Sequence, residues 1–336
     1  MAMRAAYLPG GSRVDLRDVP VPVPGPRQVL VRVRASTICG SDLRAIYRKH
    51  LGHGAEAYQG VVAGHEPCGE VAEVGADVTT VRPGDRVVVY HIAGCGLCAD
   101  CRKGYDISCV SPRRQAYGWQ RDGGHAEYLL AEERSCIALP EPLTFADGAS
   151  VACSGGTAYE ALCRLAVSGR DSLLVTGLGP VGLAAGLLAR RLGATPVYGV
   201  DPAAERRALA LATGAVDVAL DAGENVPRVS VALDCSGSPQ GRATAVRAME
   251  SWGRVAMVGE GGRLDLDVSN DLIHRNVTLL GSWVTSTWRT AELLERLVAW
   301  DLHLDVLVTH RFPLADVAEA YAVADSGVAG KVCVQP

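Results

Sequence analysis

Four cysteines fall close together as Cys95-x2-Cys98-x2-Cys101-x7-Cys109, in a glycine-bearing stretch without an alternating apolar pattern. Four thiolates can enclose one zinc tetrahedrally and leave no position open, which makes a structural rather than a catalytic site. The x2 spacings bring neighbouring sulfurs to one metal without straining the backbone. The alternatives are four unrelated thiols or an iron–sulfur cluster, although the x7 spacing fits no common cluster run. A second set is dispersed: Cys39 in Cys39-Gly40-Ser41-Asp42, His65 in Gly64-His65-Glu66, and Cys153 in Val151-Ala152-Cys153-Ser154. One imidazole and two thiolates are a zinc set with a fourth position left for water or substrate. A zinc so held polarises a bound alcohol and lowers its pKa. Asp42 can accept a hydrogen bond from the free ring nitrogen of His65, and Ser41 carries a hydroxyl able to pass a proton outward. Taken singly, a cysteine is more often a small buried hydrophobe and a histidine a satisfied core residue.

A third constellation is Gly177-x-Gly179-x-x-Gly182, directly after an apolar run and at the start of a helical pattern. In that context the glycines permit a tight turn, a close approach of backbone to a pyrophosphate and tight helix–strand packing. Pro180 and Val181 lie in the same turn, at a helix N-terminus that faces negative charge. Asp201 stands at about the expected 20-residue interval, where a carboxylate accepts a ribose 2′-hydroxyl and repels a 2′-phosphate. That predicts NAD rather than NADP. The alternative role of Asp201 is a helix N-cap.

These residues need two kinds of scaffold. The first third is β-rich: Val29–Arg34 alternates with period two, and Arg86–Tyr90 is a second strand after the turn Pro83-Gly84-Asp85. Val19–Pro26 is proline-rich and reads as an extended edge connection. From about residue 155 strands alternate with alanine-rich helices: strand Leu173–Thr176, helix Val181–Leu192, strand Val197–Val200 and helix Ala203–Ala212. Strands at Val229–Leu233, Arg254–Val258 and Val277–Leu280 continue the pattern, which means a parallel sheet covered on both faces. A helix over Thr290–Trp300, a strand over Val306–Phe312 and a closing strand Lys331–Val334 complete an α/β chain.

Composition narrows the function classes. The chain has 336 residues, 33 Lys+Arg against 37 Asp+Glu and a net charge of -4, without basic runs, so neither nucleic acid nor an anionic membrane is a predicted partner. Ser172–Ala189 carries no charge, but its clustered glycines fit a buried strand–turn–helix better than a membrane span. Eleven cysteines cannot all pair. With no apolar signal segment near Met1, a reducing, cytoplasmic location is predicted, where clustered cysteines bind metal.

The pattern Gly64-His65-Glu66-x2-Gly69-x5-Gly75-x2-Val78, after Cys-Gly-Ser-Asp and before a four-cysteine loop, resembles the zinc-containing medium-chain alcohol dehydrogenase family. The resemblance runs over the whole chain, to Gly330-Lys331-Val-Cys-Val. It implies a GroES-like β-barrel catalytic domain over 1–150, a Rossmann domain over 151–287 and a return segment over 288–336. It also implies two zincs per chain: a catalytic one on Cys39, His65 and Cys153, and a structural one on Cys95, Cys98, Cys101 and Cys109. Glu66 would lie close behind the catalytic metal and bind it transiently. Arg206 matches a position that contacts the adenosine end of the cofactor. Val258, Gly259, Ser282 and Trp283 match strand-end segments along the nicotinamide. Assembly as a homodimer or homotetramer follows from the same resemblance.

The predicted reaction is NAD-dependent oxidation of a small-molecule alcohol, with Ser41 starting proton removal. Gly40 resembles polyol, sugar and threonine dehydrogenases, whereas Cys153 resembles the simple alcohol branch. The polar stretch Arg44–Gln59 inclines the reading to a sugar, aminosugar or cyclitol. The alternatives are simple alcohol dehydrogenase activity and a non-catalytic sensor that binds zinc and NAD. Cys68, Cys136, Cys163, Cys235 and Cys333 read as inert core thiols, His50 and His53 as solvated, and His91 as a packing or outer residue of the site.

Overall fold

The computed structural model describes all 336 residues and divides them into two compact units. The first holds Met1–Gly156 and Thr285–Pro336, and the second Thr157–Val284. The boundaries anticipated after residues 150 and 287 therefore fall after 156 and 284. At the first crossing, a helix over Phe145–Ser150 continues through the π-turn Val151–Gly155 into a helix over Gly156–Arg164. No linker of altered composition marks that point, and Cys153 stays with the first unit.

The first unit is organised by the strand Gln28–Thr37, whose alternate Val29, Val31 and Val33 are buried with Val71, Val87, Val89 and Leu129 in one apolar core. Each such side chain contributes about 1.5–3 kcal/mol when removed from water. Gln28–Thr37 pairs antiparallel with Glu66–Val74, Tyr128–Glu132 and Lys331–Gln335 within a seven-stranded sheet. Thr37 is opposite both Glu66 and Cys333. In antiparallel pairs that register brings the residues just after Thr37, just before Glu66 and just before Cys333 to one end of the sheet. Cys39, His65 and Lys331 are those residues.

Around this sheet several expectations shift. The extended stretch from Val19 contributes only its first residues to a strand, Asp15–Pro20, which pairs with Ala2–Tyr7. The strand expected from Val306 starts at Val308 after a 3-10 turn over Leu304–Leu307. The helix expected from Thr290 starts at Thr287, because Ser286 caps it through the Arg289 N–H.

The second unit is a six-stranded sheet in which every neighbouring pair is parallel. Numbered within this unit, the strand order is 3-2-1-4-5-6, that of a doubly wound dinucleotide fold. Leu173–Thr176 is central and fully buried, which explains its unbroken apolar run. The third strand, Val218–Leu220, and the helix Pro239–Arg247 have no counterpart in the sequence reading. The strand is only three residues long, and the helix is weakly patterned, with Gly241 and Thr244 inside it. No helix is long and apolar enough to cross a membrane.

Candidate active site

Two cysteine clusters gather in the first unit. Side-chain donor atoms of Cys39, His65, Glu66 and Cys153 all lie within 4.8 Å of one another. Asp42 holds two of these residues. Its Oδ2 accepts the Cys39 backbone N–H at 3.0 Å, and its Oδ1 lies 2.7 Å from Nδ1 of His65. A carboxylate only accepts, so Nδ1 carries a proton and Nε2 is the ring nitrogen left for a cation. Cys153 comes from the π-turn, and the preceding Ala152 carbonyl accepts from His91 Nδ1 at 2.9 Å. The His91 ring sits 5.3 Å from that of His65, as an outer neighbour of the cluster.

The electrostatics suit a cation. The hydrogen bond from Cys153, with His65 and Lys331 nearby, holds the Cys39 thiol well below its usual range despite burial. The same bond and burial push Cys153 up. Burial disfavours a charged His65, but Asp42 and Cys39 outweigh it and push the ring up. Burial, chiefly, lowers His91 to about 4, so that ring is neutral. Burial also pushes the Glu66 carboxyl up to about 7, against the pull of Lys331. Glu66 Oε2 accepts from Thr37 Oγ1 at 2.6 Å and from Lys331 Nζ, while Oε1 is buried with no partner. Two thiols, one imidazole whose Nδ1 is held by Asp42 and a carboxylate oxygen without a donor fit a zinc, which would take the place of the Nε2 proton.

The second cluster, Cys95, Cys98, Cys101 and Cys109, also has all its sulfurs within 4.8 Å of one another. Tetrahedral zinc with Zn–S near 2.3 Å requires about 3.8 Å between sulfurs, and Cys95 and Cys101 are 4.0 Å apart. Backbone N–H groups point at the sulfurs: Cys95 to Cys109 at 3.3 Å, Leu97 to Cys95, Cys101 to Cys98 and Ser111 to Cys109 at 3.5 Å. Such donors favour thiolate, and the Leu97 and Cys98 N–H groups bring Cys95 down to about 6. This donor set also fits zinc. Every cysteine of the chain is a free thiol, and burial pushes Cys68, Cys136, Cys235 and Cys333 up, as inert core thiols should be.

In the second unit the glycine turn has the required shape. Gly177 has φ +88°, and a Cβ there would stand 2.6 Å from the Ser236 backbone; one on Gly182 would stand 1.9 Å from the Gly177 carbonyl. Gly179 is the N-cap and Pro180 the first residue of the helix Pro180–Arg191, which includes Val181. Asp201 follows its strand and is buried, accepting from the Leu178 N–H at 2.8 Å and the Ala203 N–H at 2.9 Å. It is therefore not the N-cap of the next helix, a place held by Ala203. Two carboxylate lone-pair sites remain for a ribose hydroxyl. Arg206 lies 3.6 Å from Asp201, and its Nε has no partner. The Val258 and Gly259 N–H groups both bond the Asp234 carbonyl, Ser282 is buried with an unpartnered Oγ, and Trp283 is exposed.

The sequence reading did not single out Lys331, Thr37 or Asp234 as functional. Lys331 is one of three lysines in the chain, alone within an apolar strand, and that was an available sign of a buried partner. Asp234 is buried and accepts from Thr176, Ser236 and Gly237 at the strand ends around the glycine turn. The stretch Arg44–Gln59 is largely engaged with neighbours: Arg48 with Asp325, Glu56 with Arg114, Gln59 with the Gly54 and Ala57 carbonyls, and His50 with the Leu8 carbonyl.

Comparison with known proteins shows the family to which the chain belongs. Residues 25–141 match the family model described as alcohol dehydrogenase GroES-like domain, and residues 180–299 the one described as zinc-binding dehydrogenase. The chain is 47% identical to YphC of Escherichia coli (strain K12), described as an uncharacterized zinc-type alcohol dehydrogenase-like protein, over 99% of this chain and 98% of that one. It is 32% identical to L-threonine 3-dehydrogenase of Pyrococcus horikoshii, over 96% and 95% respectively. Among solved structures, alcohol dehydrogenase TADH of Thermus sp. ATN1 superposes with a TM-score of 0.87 at 28% identity, covering 99% of both chains. A putative zinc-binding dehydrogenase of Sinorhizobium meliloti bound to NADP superposes at 0.88 with 26% identity, covering 100% of both. The chain belongs to the zinc-containing medium-chain alcohol dehydrogenase family, and is an oxidoreductase acting on CH–OH donors.

Proposed function

We propose that the protein oxidises a secondary alcohol to a ketone, with NAD as hydride acceptor, on a hydroxyl-rich substrate such as a sugar, aminosugar or cyclitol. The observation that carries the dehydrogenase reading is the joint donor set of Cys39, His65 and Cys153, with Asp42 holding His65 in the ligating tautomer. Two metals per chain are part of the reading, one on that set and one on the separate cluster of four cysteines. When bound, the open-site zinc supplies a Lewis acid for the substrate oxygen and the nicotinamide a hydride acceptor. The chain's own residues do the rest. Asp42 orients His65 and the Cys39 backbone, Ser41 takes the hydroxyl proton outward, and Glu66 keeps a carboxylate oxygen beside the ligands.

NAD is favoured because Asp201, buried just after the second strand of its sheet, would accept a ribose 2′-hydroxyl and repel the negative charge of a 2′-phosphate. Gly40 beside Cys39 and the threonine dehydrogenase relatives support a polar secondary alcohol. The engagement of Arg48 with Asp325 and of Glu56 with Arg114, partners outside the Arg44–Gln59 stretch, and Cys153 as third ligand, favour a second reading, a simple alcohol. NADH formation across matched alcohols, polyols, cyclitols and aminosugars, run with NAD and with NADP, separates them. The proposal expects the highest kcat/KM on a polyhydroxylated secondary alcohol with NAD. Turnover confined to simple alcohols selects the second reading, and no turnover on any of them defeats both.

A further inference from the structure

Lys331 Nζ is almost wholly buried, donates to Glu66 Oε2 and lies 3.3 Å from the Ile38 carbonyl oxygen. Thr37 Oγ1 donates to that same Oε2. Two donors thus saturate one oxygen of Glu66, while Oε1 is buried and has none. A buried carboxylate oxygen without a donor is costly, and donor atoms of Cys39, His65 and Cys153 lie within 4.8 Å of a Glu66 carboxylate oxygen. Their thiols and ligating nitrogen are what a cation would occupy. The arrangement is asymmetric: strand residues tether one oxygen, and no side chain or backbone group of the chain satisfies the other.

We propose that Lys331 is a positioning residue that, acting through Glu66, governs exchange at the open metal position. Sharing the carboxylate charge with the ammonium keeps Glu66 an incoming ligand that approaches and withdraws. Without the ammonium, the uncompensated carboxylate is drawn fully onto the metal and blocks the position that substrate oxygen needs. The inference rests on the ligand set assigned above.

The test uses protein holding cobalt(II) in place of zinc at the open site and zinc at the four cysteines. Lys331→Met should change the visible d–d spectrum to that of a higher-coordinate ion and slow metal release to a chelator by about tenfold, within the range by which outer residues tune metal affinity. Alcohol KM should rise in parallel. Lys331→Arg should retain the wild-type spectrum, and Lys331→Met/Glu66→Gln should return to it, because no carboxylate remains to bind. An unchanged spectrum and release rate in Lys331→Met overturns the proposal. So does a double variant that keeps the Lys331→Met spectrum, since Lys331 would then act by its own charge. Should Lys331→Met fail to fold, Thr37→Val removes only one tether from Oε2 and should shift the spectrum in the same direction by less; no shift overturns the proposal. Wild-type protein that takes up cobalt only at the four cysteines overturns the ligand assignment itself, and with it the role of Lys331.

Discussion

The two cysteine clusters use the same kind of ligand and are built in opposite ways. Cys95–Cys109 draws all its sulfurs from one short loop, satisfies them with N–H groups of that loop, and keeps two of the four cysteines partly exposed. The cluster of Cys39, His65 and Cys153 is collected from three distant parts of the chain and ringed by buried Asp42, Glu66 and Lys331. A closed set needs only sulfur geometry, which a loop can hold. An open set must keep an unsatisfied position beside ionised groups in a dry surround, and only a sheet packed on its neighbours imposes that. The open set is ringed by three buried charged residues, whereas the closed set has one beside Cys101, Asp106, already paired with Arg134.

The widest gap between the clusters should appear in activity. Cys39→Ala or His65→Ala should lower kcat/KM by at least about a thousandfold, since Lewis-acid assistance contributes several kcal/mol, with circular dichroism unchanged. Retained activity would break the assignment of that set as catalytic. Cys98→Ser should do the reverse: a loss of several kcal/mol that lowers Tm by roughly 10 °C, with activity per folded molecule kept. Selective loss of activity in a stable protein would contradict the structural role.

Asp42→Asn sharpens the contrast, because Asp42 acts through an imidazole, a ligand the four-cysteine loop lacks. It should weaken metal binding at the open set by about 10–100-fold and leave the other metal in place, as metal analysis after mild dialysis would show. Asp201→Ala touches neither cluster and should change NAD over NADP discrimination by about tenfold, roughly 1.4 kcal/mol.

The smallest effect is pH-linked stability of the segment carrying Cys153. His303 Nδ1 lies 2.7 Å from Asp147, in the helix before the π-turn, and the hydrogen bond and charge of Asp147 raise the His303 pKa. A raised folded pKa means stability fully present below the unfolded value near 6.5 and lost as pH rises through the folded one. His303 is partly exposed, so the contribution is at most about 1 kcal/mol. Urea unfolding of His303→Gln should lack that pH-dependent increment, and an unchanged profile would assign it elsewhere.

Much of this was legible in residue order. The four-cysteine spacing is a local fact, so the loop was readable before any folding was considered. The glycine turn was readable because Gly177 and Gly182 meet steric demands that no other residue satisfies. Strands with unbroken or alternating valines were found. Val218–Leu220 was not, being too short to carry a period. The Arg44–Gln59 stretch looked like an open polar lining, but Arg48 serves Asp325 near the far end of the chain and Glu56 serves Arg114.

By itself, the sequence determined the ligand types, the closed cluster, the dinucleotide turn and the alternation that demands a parallel sheet. Each depends on interactions between residues near in the chain, where spacing is geometry. Only the tertiary structure decided that Cys153 belongs with the first unit, and that Lys331 and Thr37 share one oxygen of Glu66 while leaving the other alone. Those pairings depend on which strand residues stand opposite Thr37. Register between distant strands is set by the packing of whole faces, which no local spacing encodes.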